Sequence, residues 1–222
     1  MAIRRRGKSA FPEMVSTRVY LWRHPEVTGW TDGKVWGHTD VPLTRAGREQ
    51  IPPVASYMST HKLAAIYTSD LQRSMLMADA IAKRQKPRPR TEQNRDFREL
   101  HLGNWEGLTL SEIKRKYPGE LEERMNNLTG YRIQEGESIE DLVGRVMPAF
   151  WRMIEKHNHE NICLVGHAGV NRVILCELLG VPLENLFRLD QGFACLNVID
   201  IFDDGIPVLR SFNQSVENQK KN

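Results

Sequence analysis

Apolar and polar positions in this chain follow two rhythms, period 2 and period 3.6, which take turns from one end to the other. Thr17 to Arg23 reads as a strand rich in β-branched and aromatic residues, and Ala64 to Thr68 as a second. A short edge strand is expected near Thr91, after the basic, Pro-rich connection Lys86 to Arg90. Asn161 to Val165, Leu196 to Phe202 and Val208 to Phe212 complete the set. Thr44 is placed to cap a helix reaching about Ser59, with Pro52 and Pro53 expected to kink or divide it. Ser69 is placed to cap a helix from about Leu71 to Lys83, with Leu71, Met75, Ala78, Ile81 and Ala82 on its apolar face. Ser138 followed by Asp141 resembles a capping box. The helix it opens carries Ile139, Leu142, Val143, Val146, Ala149, Phe150, Met153 and Ile154 as one buried stripe. A last helix is expected from about Val170 to Leu179.

This alternation has no linker and no internal repeat. It predicts a single α/β domain over residues 17–213, with a mostly parallel central sheet and helices on both faces. Phe97 to Gly107 reads as an irregular loop, and Ser111 to Leu128 as one or two short polar helices. Residues 118–136 are poor in core-forming side chains and read as a lid or inserted subdomain; 1–16 and 214–222 read as disordered tails.

Composition narrows the partners. A chain of 222 residues can bury one sizeable core, and its net charge is +3. Much of that excess lies in Arg4, Arg5, Arg6, Lys8, Lys220 and Lys221, so the body is close to neutral and no nucleic-acid partner is expected. No apolar run approaches the roughly 20 residues of a membrane span, and the basic start lacks the apolar core of a signal peptide. Cys163, Cys176 and Cys195 are too far apart for a zinc or redox motif and read as reduced thiols of a cytoplasmic protein. No metal and no cofactor is expected; a homo-oligomer stays open. His157 and His159 have a metal-compatible spacing but no accompanying carboxylate or cysteine cluster, and read as surface.

The chemistry sits at strand ends. The first strand runs into Arg23-His24 and the one ending at Val165 into Gly166-His167, while Ser69 to Arg73 follow the second strand. Ligands of parallel sheets bind outside the carboxyl ends of the strands, so these groups are expected at one edge. Arginines grip phosphate oxygens with paired, charge-assisted bonds. Histidine attacks phosphorus when one ring nitrogen is unprotonated, and neighbouring cations help to keep it so. Together these point to a metal-free site for a phosphate group.

These residues resemble the histidine phosphatase superfamily, the phosphoglycerate-mutase-like group, from about Thr17 to Phe212, and especially its small phosphatases, such as α-ribazole and broad-specificity phosphatases. Leu21-Trp22-Arg23-His24 is similar to the Arg-His-Gly segment of that family, which implies His24 as the phosphorylated residue. Gly37 to Thr44 with Gly47 to Gln50 resembles the next block. Thr68 to Arg73 resembles the block whose arginine binds phosphate, implying Arg73. Arg98-Glu99-Leu100, with Gly103 and Trp105-Glu106-Gly107, resembles the block of the proton donor, implying Glu99. Gly136-Glu137-Ser138 and Val165 to Gly169 complete the match, the latter implying His167 as a second phosphate-binding histidine beside Arg23 and Ala168.

The resemblance implies hydrolysis of a small-molecule phosphate monoester through phosphohistidine. Phosphoglycerate-mutase-type transfer and a noncatalytic phosphate-binding relative are the alternatives. Pro25 stands where the family has glycine and removes an N–H, Ala168 stands where a glycine often follows the second histidine, and Trp30 stands where an asparagine contacts phosphate. Glu26 and Glu106 lie in loops like that of Glu99 and could take its role. Arg98, His101 and Trp105 either line the pocket or are simply packed or solvated.

Overall fold

In a computed structural model, which describes residues 15–216, β1 (Val15–Arg23) lies inside the sheet because its sequence offers no polar face. Val19 and Leu21 point to one side, Tyr20 and Trp22 to the other, and all four are buried. Full burial of such a side chain contributes about 1.5–3 kcal/mol relative to exposure. The sheet adds β2 (Ala65–Thr68), β3 (Arg90–Gln93), β4 (Glu160–Gly166), β5 (Leu196–Phe202) and β6 (Pro207–Gln214), in the spatial order β3-β2-β4-β1-β5-β6. β1, β2, β3 and β4 are mutually parallel; on the other flank β5 runs antiparallel to β1, and β6 antiparallel to β5.

Each face carries its own helical layer. α1 (Arg45–Met58) and α2 (Gln72–Arg84) cover Tyr20, Trp22, Ile66, Cys163 and Val165 with Val54, Met58, Met77, Ala78 and Ile81. α5 (Ile139–Glu155) and α6 (Ala168–Leu179) cover Val19, Leu21, Ile162 and Leu164 with Leu142, Val146, Phe150, Val173 and Ile174. This is the α/β domain that the alternation predicts. The Ser138–Asp141 capping box is present in both directions.

Three local expectations differ from the structure. Pro52 and Pro53 do not divide α1: the carbonyls they leave without a helical donor belong to the exposed Arg48 and Glu49, while Val54, Ala55 and Met58 anchor the helix to the core. Met77, rather than Met75, occupies the buried face of α2. Ser69 does not cap α2, whose N-cap is Leu71 without a side-chain bond; its hydroxyl is used in the site. Residues 118–136 include α4 (Glu120–Asn126), after α3 (Leu110–Lys116), and pack Leu121, Tyr131 and Ile133 around Trp105 and Ile113. Of the expected tails, 1–16 and 214–222, the parts 1–14 and 217–222 lie outside the described residues; Val15 and Ser16 instead open β1, Gln214 ends β6 and Val216 is buried.

Candidate active site

Because β1 and β4 pair in parallel with Arg23 opposite Gly166, the next residue of each strand leaves the same edge. His24 N–H donates to the Gly166 carbonyl at 3.0 Å, and the His24 and His167 rings lie 5.0 Å apart. Both rings are buried. His24 Nδ1 is 2.7 Å from the Pro25 carbonyl oxygen. A carbonyl only accepts, so Nδ1 carries the hydrogen and Nε2 keeps a free lone pair. Proline at 25 supplies that oxygen as any residue would, so the N–H it lacks does not touch the tautomer. Burial, then the charges of Arg73 and Arg23, hold the His24 imidazolium well below its usual 6.5. The ring is therefore neutral at pH 7, the form a nucleophile needs.

Two arginines are fixed beside it by hydrogen bonds to backbone carbonyls rather than to carboxylates. Buried Arg73 donates Nη1 to Thr39 O at 2.9 Å and Nη2 to Gly37 O at 2.6 Å. Arg23 donates Nη1 to Gln191 O at 2.5 Å and lies 3.8 Å over the Phe193 ring. Burial, partly offset by the charge of Glu99, lowers its pKa to about 10, which leaves it charged at neutral pH. Behind it Gln191, Asn197 and Asn171 form a buried amide network: Asn197 Nδ2 donates to Gln191 Oε1 at 2.8 Å and Asn171 Nδ2 to the same oxygen at 3.2 Å.

His167 is tied down by the serine first assigned to a helix cap. Ser69 Oγ lies 2.8 Å from His167 Nε2 and 2.8 Å from Ser74 Oγ, which in turn donates to Leu71 O. The other nitrogen, His167 Nδ1, is buried without a hydrogen-bond partner among the described residues, and so is Arg23 Nε. Buried polar atoms left this way cost roughly 1–3 kcal/mol each. Of the two, Arg23 Nε–H is a donor that an oxyanion can use. Burial, followed by Arg73, His24 and Arg23, also holds His167 well below 6.5.

Glu99 enters from the opposite loop. Its carboxylate receives the Gly169 N–H at 3.1 Å, at the start of α6, and the Leu100 N–H at 2.9 Å. Gly169 leaves room for that carboxylate, since a Cβ would meet Glu99 Oε1 and displace it. The loop is shaped by Arg145, on α5. Arg145 donates to the carbonyls of Asp96, Arg98 and Glu99 at 2.7–2.8 Å and pairs both ways with Glu137, whose Oε2 also accepts the His101 N–H. Glu106 does the same for the loop holding Arg73: it accepts the N–H of His38 and Thr39 and the Thr39 hydroxyl. Gly37 permits that closeness, because a Cβ would clash with Leu100 O and come within 2.7 Å of Glu106 Oε1.

Glu106 is thus engaged in loop structure, and Glu26 accepts the Thr44 hydroxyl at 2.8 Å beside the N-cap of α1. Ala168 is the first residue of α6, next to His167. Trp105 is buried and donates to Glu120, Arg98 pairs in two bonds with Asp70, and His101 stacks on His38. His157 bridges Tyr67 and Glu160, and no group of three His, Cys, Asp or Glu side chains among the described residues could hold a metal. Arg145, Gln191 and Phe193 escaped the sequence reading, and Ser69 is expected at this edge but as a helix cap. Only Ser69, inside a recognised block, carried a signal.

The model of the histidine phosphatase superfamily (branch 1) matches residues 19–215. Phosphoglycerate mutase-like protein 4 of Arabidopsis thaliana is 38% identical over 185 residues, 78% of this chain and 80% of that protein. The adenosylcobalamin/alpha-ribazole phosphatase of Escherichia coli K12 is 28% identical over 187 residues, 83% and 90% of the two chains. Among solved structures, Bacillus stearothermophilus YhfR superposes with a TM-score of 0.80 at 27% identity, covering 88% of this chain and 96% of that one.

Proposed function

The chain belongs to the histidine phosphatase superfamily, branch 1, and we propose that it is a phosphatase that hydrolyses a small-molecule phosphate monoester through phosphohistidine on His24, without a metal. Phosphatase activity has the support of its named relatives. The observation that carries the finer reading is His24 itself, a buried neutral ring with Nδ1–H committed to the Pro25 carbonyl and its imidazolium disfavoured by Arg73 and Arg23, both held by backbone carbonyls.

In the first step Nε2 attacks phosphorus and forms the N–P bond while the ester P–O bond breaks. Arg23, Arg73 and His167 hold the non-bridging oxygens and spread their charge. Glu99 gives its proton to the leaving oxygen, so an alcohol departs. In the second step Glu99 takes a proton from water, the hydroxide forms a P–O bond, and the N–P bond breaks to return Nε2 and free phosphate. Two steps with one nucleophile match the burial of His24, since neither step requires it to exchange protons with solvent.

We also propose a small-molecule substrate and a cytoplasmic location, the latter supported by three buried thiols, Cys163, Cys176 and Cys195, free of disulfides. No helix among the described residues is long and apolar enough to cross a membrane. The test is hydrolysis of p-nitrophenyl phosphate with chelator present, wild type against His24→Ala, with acid-labile 32P trapping on the protein. Chelator-resistant turnover and trapping, both lost in the variant, are expected. Near-normal turnover in His24→Ala overturns the nucleophile. Trapped phosphate that passes to an added alcohol acceptor faster than to water makes the enzyme a mutase.

A further inference from the structure

The mouth of the site carries two aromatic rings that the phosphoryl chemistry does not use. Phe193 is held in place: it packs on the buried cluster Val27, Val41 and Leu43, with its face 3.8 Å from the Arg23 guanidinium and its centre 5.7 Å from the His24 ring. Trp30 meets Phe193 at right angles, ring centres 5.2 Å apart, and lies 5.8 Å from Arg23. Yet Trp30 stays 50% exposed.

The exposure does not come from a loose backbone. Gly33 N–H donates to Trp30 O at 2.9 Å and Lys34 N–H to Gly29 O at 3.0 Å, and Val27 bridges to Leu43. An indole on a closed turn, perpendicular to its neighbour rather than stacked on it, leaves a face open to solvent. An apolar face held beside a buried reacting centre is a place for the part of a substrate that is not phosphate.

We propose that Trp30 and Phe193 form a leaving-group wall, and that the preferred substrates are phosphate monoesters whose alcohol carries a planar aromatic group. This rests on the phosphatase reading above. Alkyl alcohols of any shape would gain from apolar contact, but a flat π-system gains more on a free indole face through stacking. Small polar alcohols such as glycerol would bypass the wall and forgo that contact.

The test compares kcat/KM for 2-phenylethyl, 2-cyclohexylethyl and ethyl phosphate, whose leaving alcohols have similar basicity, with His24→Ala as the blank. Wild type is expected to prefer 2-phenylethyl over ethyl phosphate by about tenfold or more, and over the cyclohexyl ester by about threefold. Trp30→Ala should cut the phenylethyl-to-ethyl ratio about tenfold, and Trp30→Phe should restore most of it. Weaker support of Arg23 in these variants affects all three esters alike and cancels in the ratio. A ratio unchanged by Trp30→Ala, with His24-dependent turnover intact, overturns the wall and leaves the phosphatase standing. No His24-dependent turnover of any ester overturns both.

Discussion

The two buried histidines make the stability of this protein sensitive to mild acid. Burial and nearby arginines depress both His24 and His167 below the 6.5 of an unfolded chain. Below about pH 7 the unfolded chain therefore binds protons that the folded one refuses. Stability falls as pH drops through 6.5, and continues to fall until the folded pKa is reached. Between pH 7.0 and 5.5 each such histidine removes about 1.3 kcal/mol, and the pair about 2.5 kcal/mol. With an m-value of about 2 kcal/mol/M in urea, the midpoint should move down by about 1 M. His38, also depressed by burial and by His101, adds to this in every variant. Carboxylates such as Glu106, Glu137 and Asp70, held below the usual carboxylate range by their hydrogen bonds, protonate below the window. Urea unfolding in phosphate-free buffer at pH 7.0, 6.25 and 5.5 measures the slope. The double variant His24→Gln, His167→Asn should lose most of it, whatever its starting stability. Parallel decline of the two proteins would refute neutral burial of the pair.

Three further outcomes test the rest of the site. Gly169→Ala should push the Glu99 carboxylate off the start of α6, lowering kcat for ethyl phosphate about 100-fold while p-nitrophenyl phosphate, whose leaving group needs no proton, changes only a few-fold. Steady-state kinetics on both esters check this; equal losses would remove Glu99 as proton donor. Arg145→Leu strands Glu137 and three loop carbonyls, and should cost about 3 kcal/mol by chemical unfolding as well as much of the ethyl phosphate kcat. Arg73→Met removes the largest charge acting against the His24 imidazolium, after burial itself. The acid limb of kcat/KM should then move to higher pH, because less acid suffices to protonate the nucleophile; a limb that stays or moves lower refutes that role.

Much of this site is legible in the sequence because its key groups end strongly patterned strands. Val19 to Trp22 and Ile162 to Val165 have no polar face, so their placement inside the sheet, and that of His24 and His167 at its edge, follows from burial alone. Side chains whose partners are distant in sequence are not legible. Arg145 sits one position from Val146 on an ordinary amphipathic helix, and nothing local says it gathers the carbonyls of Asp96, Arg98 and Glu99. Ser69 has the sequence context of a cap, and only the pairing of β2 with β4 brings His167 within reach of its hydroxyl. Pro25 misleads in the other direction: its missing N–H draws attention, while the chemistry uses its carbonyl.

The place of β1 in the sheet also fixes a timetable. Its two neighbours, β4 and β5, begin at Glu160 and Leu196, while β1 itself ends at Arg23. At a synthesis rate of about 5–20 residues per second, both edges of β1 stay without their native neighbours for roughly 7–30 s after it leaves the ribosome. During that interval a run of Val, Tyr, Leu and Trp offers open hydrogen-bonding edges to any other strand nearby. The nascent chain therefore needs shielding early, and a ribosome stalled anywhere before β4 releases a fragment prone to aggregate and unable to hold phosphate.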